Sequence, residues 1–174
     1  QIGNKNLILH DPVQESFPWQ GSVLAVYVIR LASILLGMGT ILTTALLARD
    51  LFSPRTAVFA AALIAFNPMF LFVSAAVNND SLANFLGCLG LYLLVKLWQD
   101  APNPVQKWWR YLLLGLVLGL AILTKLSLGA LLGLAGLALA WLAWRQRNWR
   151  ILFIGGITTL LTSLLISGWW FGRN

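Results

Sequence analysis

The sequence predicts an all-α membrane protein, a polytopic helix bundle with about six transmembrane helices. Two properties of the composition indicate this class. Hydrophobic residues make up 59% of the 174 residues and charged residues only 10%, whereas soluble domains average about 25% charged residues. The mean hydropathy is +0.81. A soluble protein of this size has too little interior to bury so much apolar surface, so we predict an integral membrane protein.

The predicted spans follow from the requirement for roughly 20 predominantly apolar residues in each crossing helix. The first is interrupted by Arg30, and the second contains Pro68. In chain order the predicted spans cover about residues 23–48, 57–77, 81–98, 109–124, 126–144 and 150–171. We assign residues 1–22 to part of an outer loop and residues 172–174 to the start of the next outer segment. From its two ends, we expect the chain to be a piece of a longer protein.

The apolar stretch at residues 111–144 is too long for one upright crossing. It would form about 51 Å of helix, at 1.5 Å per residue, in a hydrocarbon core of about 30 Å. Lys125 and Ser127 interrupt it, and Gly129 follows. We therefore interpret it as two helices that form a hairpin.

The distribution of basic residues supports this hairpin. Six spans place eight basic residues on one side: Arg49, Arg55, Lys96, Lys107, Arg110, Arg145, Arg147 and Arg150. Because basic residues collect on the cytoplasmic side, the N-terminal segment is predicted to lie outside. This bias also accounts for the net charge of +7. We therefore predict a multi-pass protein of the inner or plasma membrane and no nucleic-acid partner.

The single cysteine and the single histidine limit the chemistry. Cys88 and His10 are the only residues of their types, which excludes an intrachain disulfide and a multi-cysteine or polyhistidine metal site. We interpret Cys88 as a small buried side chain. The Gly115-x-x-x-Gly119 spacing resembles a helix-dimer motif, but we interpret it as packing within the chain.

A polar triplet, Asn78-Asn79-Asp80, separates two apolar runs, and a carboxylate at that position is costly. The predicted topology puts further polar groups on the same outer side: His10, Arg30, Lys125 and Arg173. Carboxylate oxygens bind hard divalent cations, and Lys and Arg bind phosphate oxygens. The sequence therefore predicts a binding site for a phosphate or diphosphate head group whose tail stays in the bilayer. Asp80 is the candidate ligand for a divalent metal ion.

Each of these residues also has a structural interpretation. The run from Asn78 to Ser81 is also consistent with a turn followed by a helix N-cap. Lys125 and Arg173 are equally consistent with interfacial anchors. We expect Arg30 to be paired, because an unpaired charge inside a span is expensive, but its partner could be structural. His10, with Asp11 and Glu15, could belong to a solvated loop.

Four short segments resemble the family 39 and related glycosyltransferases of the GT-C fold. They are FNPMFLFVS at 66–74, NNDSL at 78–82, GLAILTK at 119–125 and GWWFGRN at 168–174. Residues 12–30 also resemble the run from the first outer loop of those proteins into the next span. The resemblance covers nearly the whole chain and is carried by the order of the motifs and by their predicted membrane sides.

The resemblance implies a partial GT-C fold and a mannosyltransferase-like activity. Such enzymes pass a sugar from a polyprenyl-phosphate donor to an acceptor on the outer face; the acceptor here is unknown. By position, Asp80 matches a carboxylate that helps bind donor, acceptor or metal, Lys125 is a candidate phosphate contact, and Arg173 is a further one. The family's general base is an aspartate early in the first outer loop. Asp11 lies late in this loop and lacks the expected Asp-Glu pair, so we expect the base upstream of this chain and no activity from the piece alone.

Two other functions are consistent with this sequence. A transporter fragment would place polar groups and broken helices near the middle of the membrane, with internal repeats. A non-catalytic assembly subunit would use every polar group as a turn or an anchor. The clustering of charges at one face favours the glycosyltransferase.

Overall fold

The computed structural model describes residues 16–100 and 105–173. Within these ranges the chain forms α-helices and no strand, which confirms the all-α prediction. The helices are α1 (Gly21–Leu51), α2 (Pro54–Ala65), α3 (Pro68–Ala75), α4 (Asp80–Asp100), α5 (Trp108–Thr124), α6 (Ala130–Arg145) and α7 (Ile157–Arg173). A 3-10 turn, Leu126–Gly129, joins α5 to α6, and a π-helical turn, Ile151–Gly156, leads into α7.

Four helical segments in the described ranges are long and apolar enough to cross a membrane. They are α1, α4, α6 together with its 3-10 turn, and α7 together with its π-helical turn. The bent pair α2–α3 would make a fifth, and α5 is shorter, at 17 residues. The chain is thus a multi-pass integral membrane protein, and the prediction of six crossings stays a prediction.

The segment predicted as one span at 57–77 consists of two helices, α2 and α3, bent by 64°. Pro68 lacks a backbone N–H and fixes its own φ, so α2 ends before it. Asn67 then begins α3, because its side-chain oxygen accepts hydrogen bonds from the amides of Met69 (2.9 Å) and Phe70 (3.2 Å). The bend therefore lies at Asn67-Pro68, where one helix ends and the next begins.

α1 and α4 pack side by side and run in the same direction. Near their C-terminal ends, Lys96 Nζ lies 2.8 Å from Asp50 Oδ2, and Gln99 Nε2 donates to the Asp50 carbonyl at 2.9 Å. Thr44 Oγ1 contacts Cys88 Sγ, which is partly buried, at 3.7 Å. We refer to this end of the bundle as the Asp50 end, and to the other as the Asp80 end.

α5 and α7 also run parallel, and their backbones approach closely. A Cβ at Gly115 would lie 2.5 Å from the Thr159 carbonyl oxygen, and one at Gly119 would lie 2.9 Å from that of Ser163. Thr159 Oγ1 donates to the Tyr111 carbonyl at 3.1 Å. The prediction that the two glycines pack within the chain is confirmed, since small residues permit this approach.

The largest apolar core joins α4, α5, α6 and the π-helical turn. Its fully buried members include Tyr111, Leu114, Leu118, Leu139 and Ile151. The Tyr111 ring occupies the space that a side chain at position 155 would need, since a Cβ on Gly155 would overlap it. This core fixes α5 beside α4, and so determines which residues meet where α4 begins and α5 ends.

Candidate functional site

The turn between α3 and α4 is organised by Asn78. Its Oδ1 accepts a hydrogen bond from the Asp80 amide at 3.0 Å, and its Nδ2 donates to the Val73 carbonyl at 3.4 Å. The side chain therefore satisfies a carbonyl at the end of α3 and an amide at the start of α4. Asp80 becomes the first residue of α4, where the positive end of the helix dipole stabilises its carboxylate.

Lys125 lies at the break between α5 and the 3-10 turn. Its backbone is extended, with φ −153° and ψ 117°, so the chain leaves the α5 axis at this residue. Its amide still donates to the Ala121 carbonyl at 2.9 Å, and its own carbonyl accepts from the Leu128 amide at 2.9 Å. These two hydrogen bonds fix the backbone of Lys125, so its side chain begins at a fixed position at the end of α5.

Two contacts join these segments. Lys125 Nζ donates to Asp80 Oδ1 at 2.9 Å, and Asn79 Nδ2 donates to the Thr124 carbonyl at 3.0 Å. The second bond satisfies one of the last carbonyls of α5, which lack partners inside the helix. We call Asn78, Asn79, Asp80, Thr124 and Lys125 the outer-end cluster, after the side of the membrane that the sequence predicts for these residues.

The ion pair retains unused hydrogen-bonding capacity. The side chains of Lys125 and Asp80 are 52% and 39% exposed, so the pair is open to a ligand. An ammonium group has three donors, and one is used by Asp80. Among the described residues, Asp80 Oδ2 has no donor. The cluster therefore offers N–H donors to an anion beside an acceptor for a hydroxyl.

The structure does not bring the other predicted site residues into this cluster. Arg30 and Arg173 are exposed, and neither makes an ion pair or a side-chain hydrogen bond with a described residue. The expectation that Arg30 is paired is thus not met within residues 16–100 and 105–173. His10, Asp11 and Glu15 lie outside the described residues.

The position of Arg30 follows from the packing of α1 against α4. Their contacts join residues 44 to 49 positions apart in the sequence, so Arg30 lies one to six residues beyond the level of Asp80. At 1.5 Å per residue this is about 2–9 Å. Arg30 therefore lies towards the Asp80 end of α1, beyond the level of the outer-end cluster, and does not contact it.

The described residues contain no group of three His, Cys, Asp or Glu side chains suited to a metal ion. In the outer-end cluster Asp80 is the one carboxylate, and Lys125 already binds one of its oxygens. Two amide side chains stand beside it. Asp80 would thus need ligands from the substrate or from elsewhere to hold a divalent ion.

Sequence reasoning missed the bond from Asn79 to the Thr124 carbonyl. The sequence contains part of the signal, because the last carbonyls of any helix need donors and two amide side chains lie in the preceding turn. It does not contain the pairing, which depends on α4 and α5 packing side by side. The ion pairs at the Asp50 end, Asp50 with Lys96 and Asp100 with Arg110, were missed for the same reason.

A protein-family model matches most of this chain. The family model described as dolichyl-phosphate-mannose-protein mannosyltransferase matches residues 13–173. Comparison with curated proteins and with solved structures gives no match. The match includes α1 to α7 and both segments that meet in the outer-end cluster.

Proposed function

Since this chain belongs to the dolichyl-phosphate-mannose-protein mannosyltransferase family, we propose that it forms part of a membrane enzyme that transfers a sugar from a polyprenyl-phosphate donor. The acceptor would receive the sugar at the Asp80 end, which we propose faces the outside of an inner or plasma membrane. The observation that carries the proposal is the exposed Lys125–Asp80 pair, 2.9 Å apart at the end of α5. Family membership is why sugar transfer is preferred over transport or assembly.

The reaction defines what a cation at this position would do. An acceptor hydroxyl oxygen attacks the anomeric carbon of the sugar, and the bond from that carbon to the phosphate oxygen breaks. The polyprenyl phosphate leaves with the bonding electrons, so negative charge grows on its phosphate. The hydroxyl proton passes to a general base, which we place upstream of this chain.

In this scheme Lys125 binds the donor phosphate. The two ammonium N–H groups not used by Asp80 would donate to phosphate oxygens, and these bonds would strengthen as the charge grows. Asp80 would act as a positioning residue that holds the ammonium in place. It would also accept a hydrogen bond from a sugar or acceptor hydroxyl. Asn78 and Asn79 would support Asp80 and the end of α5.

Arg30, Arg173 and His10 stay in the proposal as outer contacts to substrate. A substrate contact by Arg30 is supported by its position towards the Asp80 end of α1. It has no ionic partner among the described residues, and a phosphate would supply the counter-charge. Arg173 is supported by its position in the last turn of α7. EDTA treatment of the full-length enzyme tests whether a divalent metal ion takes part in transfer.

The test uses the full-length protein in membranes, with the transfer rate measured at several donor concentrations. Lys125→Met keeps the aliphatic stem and removes the charge. We expect kcat/KM for the donor to fall about tenfold to a hundredfold, because a hydrogen bond to a charged group contributes about 1.5–3 kcal/mol.

The matched control is Lys96→Met. Lys96 forms the same kind of pair with Asp50, at 2.8 Å, at the other end of the bundle. We expect its kcat/KM per folded enzyme to stay within about twofold of wild type, since Lys96 lies at the opposite end of the bundle from the proposed transfer site. Equal kcat/KM in the two variants would show that the Lys125–Asp80 pair is only a structural connection between spans.

A further inference from the structure

A cavity with a partly polar lining lies at the Asp50 end, between α4 and α5. Its volume is about 310 Å³. Three leucines, Leu93, Leu97 and Leu113, line the apolar part, and Lys96, Asp100, Trp109 and Arg110 line the polar part. Because the cavity is lined by α4 residues from Leu93 to Asp100, about 20–30 Å of helix separates it from Asp80. It is therefore distinct from the proposed sugar-transfer site.

The cavity has cationic groups with free donors. Arg110 forms an ion pair with Asp100, and its guanidinium carbon lies 5.5 Å from the centre of the Trp109 ring. A guanidinium has five N–H donors, and among the described residues Asp100 is the acceptor that uses one of them. Lys96 pairs with Asp50, and its side chain is 37% exposed. The polar part can thus donate to an anion without losing its internal ion pairs.

The net charge around the cavity favours an anion. Two carboxylates at this end, Asp50 and Asp100, pair with three cations, Arg49, Lys96 and Arg110, and Lys107 is a fourth cation near Asp100. The N-terminus of α5 adds the partial positive charge of the helix dipole. Its N-cap residue, Lys107, makes no side-chain hydrogen bond to the first amides of the helix. The basic residues therefore attract an anion in the cavity more strongly than Asp50 and Asp100 repel it.

We propose that this cavity binds an anionic phospholipid from the leaflet on this side. The phosphodiester would lie between Lys96 and Arg110, and the upper part of one acyl chain would pack on the three leucines. Basic pockets between transmembrane helices bind anionic lipid head groups in this way. A free phosphate would use the cations but not the leucines. The proposal does not depend on the proposed sugar transfer.

The experiment compares lipid retention by the full-length protein in detergent, using native mass spectrometry. The probes are phosphatidylglycerol and phosphatidylcholine with identical chains, together with glycerophosphoglycerol and inorganic phosphate. We expect phosphatidylglycerol to be retained about fivefold to tenfold more than phosphatidylcholine, and the two soluble anions to compete weakly. Competition by the soluble anions as strong as by phosphatidylglycerol would overturn the lipid assignment.

Two variants separate this site from general attraction to a basic surface. The double variant Asp100→Asn/Arg110→Gln leaves the net charge unchanged but removes the guanidinium from the cavity. Arg145→Gln lowers the net charge by one at the same end, outside the cavity lining. We expect the double variant to lose the preference and Arg145→Gln to keep it. The opposite pattern would show a non-specific effect of charge.

A third variant protects the test against misfolding of the double variant. Leu113→Trp fills the apolar part of the cavity and retains every charge. Since Leu113 is 36% exposed, the substitution leaves the buried core intact. We expect lost phosphatidylglycerol preference with an unchanged melting temperature in detergent. Full retention of the preference in a folded Leu113→Trp protein would contradict the proposal.

Discussion

Asp80 and Lys125 lie 45 residues apart in the sequence, yet their side chains form an ion pair of 2.9 Å at one end of the bundle. The pair joins the start of α4 to the end of α5, and the bond from Asn79 to Thr124 joins the same two segments. A structural connection and an exposed cation are thus combined in one place. Four predictions separate these roles and test the packing and topology around them.

Exchanging the two charges tests whether an ion pair at this place is enough for transfer activity, whichever helix carries the cation. In Asp80→Lys/Lys125→Asp the ion pair can form again, but the cation moves from the end of α5 to the start of α4. We expect the double variant to be more thermostable than either single variant, because each single variant leaves two like charges together. We expect its transfer activity to remain low, since the phosphate contact has moved. Restored activity would show that only the pairing matters.

The close approach of α5 to α7 depends on two glycines. Gly115→Ala and Gly119→Ala place a Cβ against the carbonyls of Thr159 and Ser163, where backbone must shift. We expect each to destabilise the protein by about 1–3 kcal/mol, measured by thermal or denaturant unfolding in detergent. Gly133→Ala is the control, because a Cβ there meets nothing within 4 Å. It should be neutral or stabilising, and equal losses at all three positions would contradict the packing.

The restart of the helix at α3 depends on the Asn67 side chain. Asn67→Ala removes the acceptor for the amides of Met69 and Phe70, and we expect a loss of about 1 kcal/mol in unfolding free energy. Asn67→Ser keeps a capping oxygen and should recover most of this loss. If the two variants were equally unstable, the cap would not be what holds α3.

The predicted membrane sides are tested by labelling single cysteines with a membrane-impermeant maleimide. The background is Cys88→Ser, and the probes are Ser127→Cys and Gln146→Cys at opposite ends of α6. We expect the first to label in intact cells and the second only after permeabilisation, because the basic residues beside Gln146 favour the cytoplasm. The reverse labelling would invert the proposed orientation.

The spans could be predicted from the sequence because a membrane imposes a simple condition on it. Each crossing needs about 20 apolar residues, and the runs around Arg30, Cys88 and Trp141 satisfy this length. The break at Lys125 was also predictable, since an uninterrupted helix there would be too long. The 64° bend at Asn67 and Pro68 was not, because a proline in a membrane helix is compatible with a slight kink as well as with a restart.

The candidate site also has a part that was predictable from the sequence and a part that was not. Asp80 and Lys125 stand out in the sequence because each charge interrupts an apolar run. Arg30 stands out for the same reason, but its position beyond the level of Asp80 is set by the parallel packing of α1 on α4. The pairing of Asn79 with the Thr124 carbonyl involves a backbone atom, for which residue identity carries no signal.

The sequence by itself determined that this protein is an all-α membrane bundle, where its chain turns, and to which family it belongs. These properties depend on residue type and spacing along the chain. Only the tertiary structure decided that Lys125 meets Asp80, while Arg30 and Arg173 stand apart, and that a cavity lined by Lys96 and Arg110 lies between α4 and α5. Those relationships depend on which helix faces pack together, and the glycines and leucines at the interfaces determine that packing through shape.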